Sequence, residues 1–232
     1  MNELTKKFHE AMKSTGEEVN LDSTPLVWTE IFYKQYLRLP NLPLKPTITD
    51  GELENIINAR KSSREFKDQP VSFSTLSNLL VYGLGKTNNN RRCYPSAGAR
   101  YPIETYTVAL NIEDLEPGIY HFDVKDGKLE LLLRDNLKVF DNIIRPHIAS
   151  PAALFIFTTV LSRAELKYGA NAYRFSLLEA GHMVQNLALL CAKYNIGGCS
   201  TGGVIQDSIV EVLDLTSEEL PIYGFACGHI EK

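Results

Sequence analysis

Arg60-Lys61-Ser62-Ser63-Arg64-Glu65-Phe66 puts three cations and two hydroxyls into its first five residues, a composition suited to cradling an anion. Just upstream, Leu53, Ile56 and Ile57 recur at one-face helical spacing, so the cluster is expected just past a helix end. Thr49-Asp50-Gly51-Glu52 has the capping-box spacing that would start that helix. Downstream, Pro95-Ser96-Ala97-Gly98-Ala99-Arg100-Tyr101-Pro102 reads as a tight turn whose glycine lets backbone approach a flat ligand. The two segments together suggest a bound, phosphorylated cofactor.

Between them, residues 74–82 place Leu76, Leu79 and Leu80 on one helical face, with Gly83 and Gly85 as stops and an asparagine-rich loop after them. Beyond the turn the periodicity changes to two. Residues 104–110, 118–123 and 128–133 read as strands, the last two joined as a hairpin across Asp126-Gly127. Residues 152–160 are almost continuously apolar and read as a central strand. Ser162-Arg163-Ala164-Glu165 has capping-box spacing for a short helix that Gly169 closes. The longest helix is expected over 171–194, apolar on most sides and therefore a core helix, and a last strand over 221–230. At the other end, residues 3–12 and 25–36 read as helical pieces of an arm, joined by the polar stretch 14–18. Pro40, Pro43 and Pro46 make an extended connector. The organisation expected is an arm and connector over 1–46 and one folded domain over 47–232.

A chain of 232 residues that is 44% hydrophobic can bury a sizeable core. Its net charge of -4 excludes general attraction to nucleic acid or anionic lipid, so the 60–64 cluster should act locally. The apolar run from 152 is far shorter than the ~20 residues of a membrane helix. Met1-Asn2-Glu3-Leu4-Thr5-Lys6-Lys7 lacks the apolar core of a signal peptide. A cytoplasmic protein is expected, with no nucleic acid or membrane partner. Cys93, Cys191, Cys199 and Cys227 show no C-x-x-C spacing and are expected as buried, reduced thiols. His9, His121, His147 and His229 are scattered without metal-ligand spacing, and His182, inside the long apolar helix, reads as a core histidine. Glu179 is expected to cap or brace a neighbouring element. No serine stands in a nucleophile elbow, which leaves a hydrolase unsupported. Gly197-Gly198-Cys199-Ser200-Thr201-Gly202-Gly203 lacks the Gly-Lys-Ser/Thr ending of a phosphate loop and is expected as a loop after the long helix.

The cationic cluster, the 95–101 turn, Lys167-Tyr168 ahead of an Arg174-containing helix, and Glu179-Ala180-Gly181-His182 occur in the order seen in nitroreductase-like flavoproteins. Over essentially residues 5–230, Phe8-His9-Glu10 included, the chain resembles their SagB-type branch, peptide dehydrogenases that oxidise azolines to azoles. The resemblance implies an α+β fold, with a mixed, mostly antiparallel central sheet flanked by helices, a long buried core helix and an intertwined homodimer. It implies FMN at the subunit interface. Arg60, Lys61 and Ser62 would hold the phosphate and ribityl chain, and Arg64 would lie along the pyrimidine edge, where a cation favours the reduced ring. Pro95, Ser96, Ala97 and Gly98 would cover the ring from the other subunit, and Thr201, Gly202 and Gly203 would pass beside N5. Several family members carry basic residues after the last strand, whereas this sequence ends in Glu231-Lys232, so that either Lys232 substitutes or nothing does.

Lys167 and Tyr168 are the catalytic candidates the resemblance implies. Azoline oxidation removes a ring proton as hydride leaves for N5, so a base must meet the substrate. A tyrosine with pKa near ~10 needs a neighbouring cation to serve, and Lys167 is adjacent. The function expected is an FMN-dependent SagB-type dehydrogenase acting on a heterocycle of a modified peptide or related metabolite. Two alternatives stand beside it: an NAD(P)H-dependent nitro- or quinone-type reductase, and a flavin-holding subunit of a larger peptide-modifying complex.

Overall fold

The computed structural model describes residues 3–13, 31–47, 50–134, 142–145 and 147–231. Six strands, β1 (Ile103–Ala109), β2 (Gly118–Asp123), β3 (Lys128–Arg134), β4 (Ala153–Val160), β5 (Gly197–Thr201) and β6 (Glu219–Gly228), form one sheet in the order β3-β2-β1-β4-β6-β5. Every pairing between them is antiparallel, so the sheet is not mixed as expected. Its parallel contacts are isolated bridges made by loop segments, such as Ser62 with Gly198.

The core follows from the two-residue period of β4. Phe155 and Phe157 point to one face, where they meet Phe225 of β6, Leu76, Leu79, Met183 and Leu187. Leu154 and Ile156 point to the other, against Ile143, Ile144, Val204 and Ile209. The helices divide accordingly. On the first face lie α3 (Phe73–Asn78), its π-helical continuation (Leu79–Leu84) and the long α5 (Asn171–Lys193). The second face is covered by α6 (Gln206–Leu213), a helix the sequence reading did not assign. Against α5 also packs α2 (Glu52–Ala59), and α4 (Ser162–Tyr168) forms an elbow with its first turns.

Several local expectations need correction. Residues 31–36 are not helical, and 14–30 lie outside the described residues. Gly51 precedes α2 without a side-chain cap, while Thr49 lies outside the described residues. Ser162 is the first residue of α4 rather than its cap, a position held by Leu161. Helix α3 is capped by Ser72, whose Oγ accepts from Thr75 N–H at 3.2 Å, and so starts earlier than expected. Residues 197–201 are the edge strand β5, not a loop. Nor is α5 buried on most sides: Leu177, Leu178, Gly181 and His182 are exposed.

The N-terminal helix α1 (Glu3–Ala11) docks on the body. His9 Nδ1 lies 2.9 Å from the Tyr173 hydroxyl, both groups buried, and Phe8 meets the Tyr173 ring edge-on at 5.7 Å. Lys13, just past α1, pairs with Asp207 of α6 at 2.7 Å.

Candidate flavin and catalytic site

Arg60 ends α2, its N–H still bonded to Ile56 O, and the chain then runs extended along the open edge of β5. Ser63 N–H donates to Gly198 O at 3.0 Å, Ala149 N–H to Arg64 O at 2.8 Å, and Lys67 N–H to His229 O at 2.8 Å. These bonds hold the cationic segment straight, and Lys61 and Ser63 line an open groove of about 610 Å³ with Gly197, Gly198 and His229 among others. Lys61, Ser63 and Arg64 line a second opening beside it.

At the end of β5, Thr201, Gly202 and Gly203 make a tight corner. Thr201 Oγ1 accepts from Gly203 N–H at 2.9 Å and lies 2.9 Å from His147 Nε2. A Cβ at 203 would stand 2.6 Å from His147 Cε1, so a larger residue there would displace the His147 ring, whereas the space beside Gly202 is open. Arg145 N–H donates to Gly203 O at 2.8 Å, and its buried Nε has no partner among the described residues. His147 keeps an exposed edge. Partial desolvation, then the nearby Arg64 and Arg145 cations, hold its pKa below the usual imidazole value. The sequence reading missed Arg145 and passed over His147 as scattered. Only the fold, which closes 143–149 onto the 201–203 corner, brings them to Arg64.

The second half of the site forms around the 95–98 turn. Gly98 has φ +60, and a Cβ there would stand 2.5 Å from Tyr168 Oη and 3.0 Å from Lys167 Nζ. The turn and the Lys-Tyr pair, about seventy residues apart in sequence, are thus in contact. Lys167 Nζ lies 5.2 Å from the Tyr168 ring centroid, and that ring meets Phe175 edge-on at 5.1 Å. Ala99 and Tyr101 also take left-handed backbone, at φ 53 and 48, a strained arrangement for residues with side chains. Bonds around the turn hold it: Tyr101 N–H donates to Ser96 Oγ at 2.9 Å, Arg100 Nε to Arg163 O at 2.8 Å, and Asn186 Nδ2 to Cys93 O at 3.2 Å.

Behind the turn stands Glu179 of α5, 2% exposed. Burial pushes its carboxyl up to about 7, opposed by the nearby Ser96 hydroxyl and the Arg92 cation. His182 is exposed, not a core residue, because it lies on the uncovered face of α5.

The groove beside Arg64 and the depression around the 95–98 turn share no lining residue. Ala188, Cys191 and Ala192 of α5 line the first, while Glu179 serves the second. At 1.5 Å per residue that spacing is roughly 15–20 Å along the helix. Of the expected residues, Lys61 lines the groove beside Gly197 and Gly198, Ser62 bridges to Gly198, Arg64 lies near His147 at the Thr201-Gly202-Gly203 corner, and Arg60 ends α2. A separate group holds Pro95, Ser96, Ala97 and Gly98 with Lys167 and Tyr168. Among the described residues there is no cluster of three or more metal-ligating side chains, and no helix is long and apolar enough to cross a membrane. Three of the four free cysteines are buried and Cys93 is half-buried. Lys232 lies outside the described residues.

The fold is that of an oxidoreductase family: the chain belongs to the nitroreductase family, whose sequence model matches residues 57–229. It is 27% identical over 241 residues to the microcin B17-processing protein McbC of Escherichia coli, covering 91% of this chain and 84% of McbC. It is 26% identical over 194 residues to the FMN reductase (NADPH) of Bacillus subtilis, covering 78% of this chain and 66% of that protein. Among solved structures, a chain of the E. coli microcin synthetase McbBCD complex with truncated pro-MccB17 bound superposes with a TM-score of 0.76 at 21% identity, over 99% of this chain and 92% of that one. At that identity the likeness speaks for the fold.

Proposed function

We propose that this protein is an FMN-dependent dehydrogenase of SagB type, acting on a thiazoline- or oxazoline-like ring of a modified peptide or related metabolite. The observation that carries the reading is the contact of Gly98 with Lys167 and Tyr168, because a plain nitroreductase needs no acid-base pair at the flavin-covering turn. Similarity to McbC supports the peptide-processing assignment.

The residues present suit FMN. Arg60, Lys61 and Ser62 offer cations and a hydroxyl for a phosphate, the open space at Gly202 admits a flat ring, and the unpartnered Arg145 Nε with Arg64 offers donors to a carbonyl-rich edge. Bound FMN supplies the two-electron acceptor. On the protein side, Tyr168 would act as a phenolate beside the Lys167 cation, taking the ring proton of the substrate to become the neutral phenol, and the absence of a side chain at Gly98 leaves room for this pair. Arg64, Arg145 and the Thr201 corner fix and polarise the pyrimidine side.

The two halves of the site are proposed to meet across a homodimer, with FMN at the interface. Support comes from the roughly 15–20 Å separation within one chain and from the apolar surface left open, including Leu166 at 93%, Leu178 at 56% and the extended 31–44 segment with its exposed aromatic and leucine side chains. That segment is the proposed docking element of the 1–46 arm. Work within a peptide-modifying complex is proposed on the same grounds as the substrate. The test is anaerobic mixing of the FMN-loaded protein with a synthetic thiazoline peptide: rapid bleaching of the flavin by the peptide supports the reading. Rapid bleaching by NADPH and none by the peptide would favour the reductase alternative, to which the similarity to the B. subtilis FMN reductase points.

A further inference from the structure

Arg163 has no part in the mechanism above, yet it bonds to both sides of the contact on which that mechanism depends. It stands in the first turn of α4, four residues ahead of Lys167, which puts the two side chains on one face of the helix about 6 Å apart along its axis. Its side chain reaches across to the turn. Arg163 Nη1 donates to Tyr101 O at 3.4 Å, and the Arg163 carbonyl accepts from Arg100 Nε at 2.8 Å. Ala99 and Tyr101 hold left-handed backbone, so this stretch keeps its shape only while its surroundings over-determine it. The other guanidinium nitrogen, Nη2, lies 2.5 Å from Glu104 Oε1. Glu104 is a firm anchor. It belongs to β1, paired with Thr158 of β4, and its second oxygen, Oε2, lies 3.1 Å from His121 Nε2 on β2. His121 Nδ1 is in turn 3.1 Å from Glu130 Oε2 on β3, so the sheet grips the carboxylate that grips Arg163.

We propose that Arg163, braced by Glu104, is a positioning residue: it ties the first turn of α4 to the strained 99–101 backbone and so fixes Lys167 and Tyr168 against Gly98. A guanidinium suits the task because its fork serves two acceptors at once, the Tyr101 carbonyl of the turn and the Glu104 carboxylate of the sheet. With both bonds made, the helix that carries the pair and the turn that carries Gly98 are held to the same point on β1. The tolerance is small, since a Cβ at Gly98 would stand 2.5 Å from Tyr168 Oη and 3.0 Å from Lys167 Nζ. Arg163 is 43% exposed, and an ion pair so open to water adds little to global stability. A displacement of about 1 Å at reacting groups, by contrast, costs on the order of 100-fold in rate. Arg163 should therefore matter for kcat and hardly for Tm.

The kinetic readout rests on the dehydrogenase reading, so the first measurement avoids substrate altogether. Meta-fluorotyrosine is placed at position 168 of the FMN-loaded full-length protein, and its fluorine resonance is compared among wild type, Arg163→Met and Glu104→Gln. Arg163→Met keeps the aliphatic stem and leaves the main-chain bond from Arg100 in place, while Glu104→Gln keeps the shape of the anchor and removes its charge. In both variants the resonance should leave its wild-type position, with Tm within about 4 °C of wild type. A resonance at the wild-type position in either folded variant overturns the proposal. With a synthetic thiazoline peptide and unlabelled protein, kcat should fall about 10- to 100-fold in Arg163→Met, and no further in the double variant, while KM is unmoved. Single effects that multiply in the double variant would show two independent residues and overturn the role given to Glu104. Unchanged kcat in Arg163→Met would overturn the positioning role. No turnover in wild type would count against the dehydrogenase reading and leave the fluorine resonance to decide on Arg163.

Discussion

Gly98 shows how one missing side chain can join two distant parts of a sequence. Its φ of +60 already disfavours any other residue, and a methyl there would meet Tyr168 Oη at 2.5 Å. Gly98→Ala should therefore displace the Lys-Tyr pair, lowering kcat on a thiazoline peptide at least about 100-fold while stability drops by only about 1–2 kcal/mol. Steady-state kinetics together with thermal unfolding checks both parts. At the same scale, His9 is buried against Tyr173, and burial, followed by the Lys13 cation, lowers its pKa. The unfolded or undocked form then binds the proton more tightly, so docking of α1 is intact near neutral pH and lost progressively as pH falls through the ordinary histidine range. Limited proteolysis after α1 should accelerate on acidification in wild type and lose that pH dependence in His9→Gln. Of the site residues, Arg60, Lys61, Ser62, Arg64 and the Lys-Tyr pair were legible from the sequence because charge and order mark them. Arg145 and His147 were not, since only the closure of 143–149 onto the 201–203 corner gives them meaning.

Among the elements, the period-two strands were read well, β2 at both its ends, because β-branched and aromatic residues alternate between the two faces. The edge strand β5 was not legible: Gly197-Gly198-Cys199-Ser200-Thr201 has poor strand propensity. Its residues answer to space instead, as a Cβ on Gly198 would stand 2.5 Å from Phe225 Cζ. The capping boxes at 49–52 and 162–165 misled for a related reason, spacing alone saying nothing about whether the side chain reaches the helix N–H groups. Strand β4 carries the core, with Phe155 and Phe157 fully buried against Phe225 and α5. Phe155→Ala should cost about 3–5 kcal/mol, read as a lower denaturant midpoint with unchanged slope, and should weaken FMN retention only as far as global unfolding does.

At the scale of the whole molecule, a net charge of -4 with a local cationic cradle agrees with a small anionic cofactor rather than a polyanion. The exposed leucines of α4 and α5 and the apolar 31–44 segment leave more hydrophobic surface than a stable monomer usually shows. Sedimentation equilibrium should therefore give twice the chain mass, and Leu178→Glu should shift the protein to monomer with parallel loss of FMN. A dimeric mass with FMN fully retained in that variant would separate the cofactor site from this interface. The family was legible in the order of four motifs along the chain. The helix α6 was not, because residues 204–220 carry no motif and their burial depends on the second face of β4.

The central claim is that Tyr168, placed by the 95–98 turn, removes the substrate proton as the flavin is reduced. The most direct test is anaerobic stopped-flow mixing of FMN-loaded wild type and Tyr168→Phe with a synthetic thiazoline peptide, following the flavin band near about 450 nm. Rapid bleaching is expected in wild type, and in Tyr168→Phe a full FMN complement with bleaching slowed at least about 1,000-fold. Equal bleaching rates in the two proteins, or a wild type that binds no flavin, would contradict it.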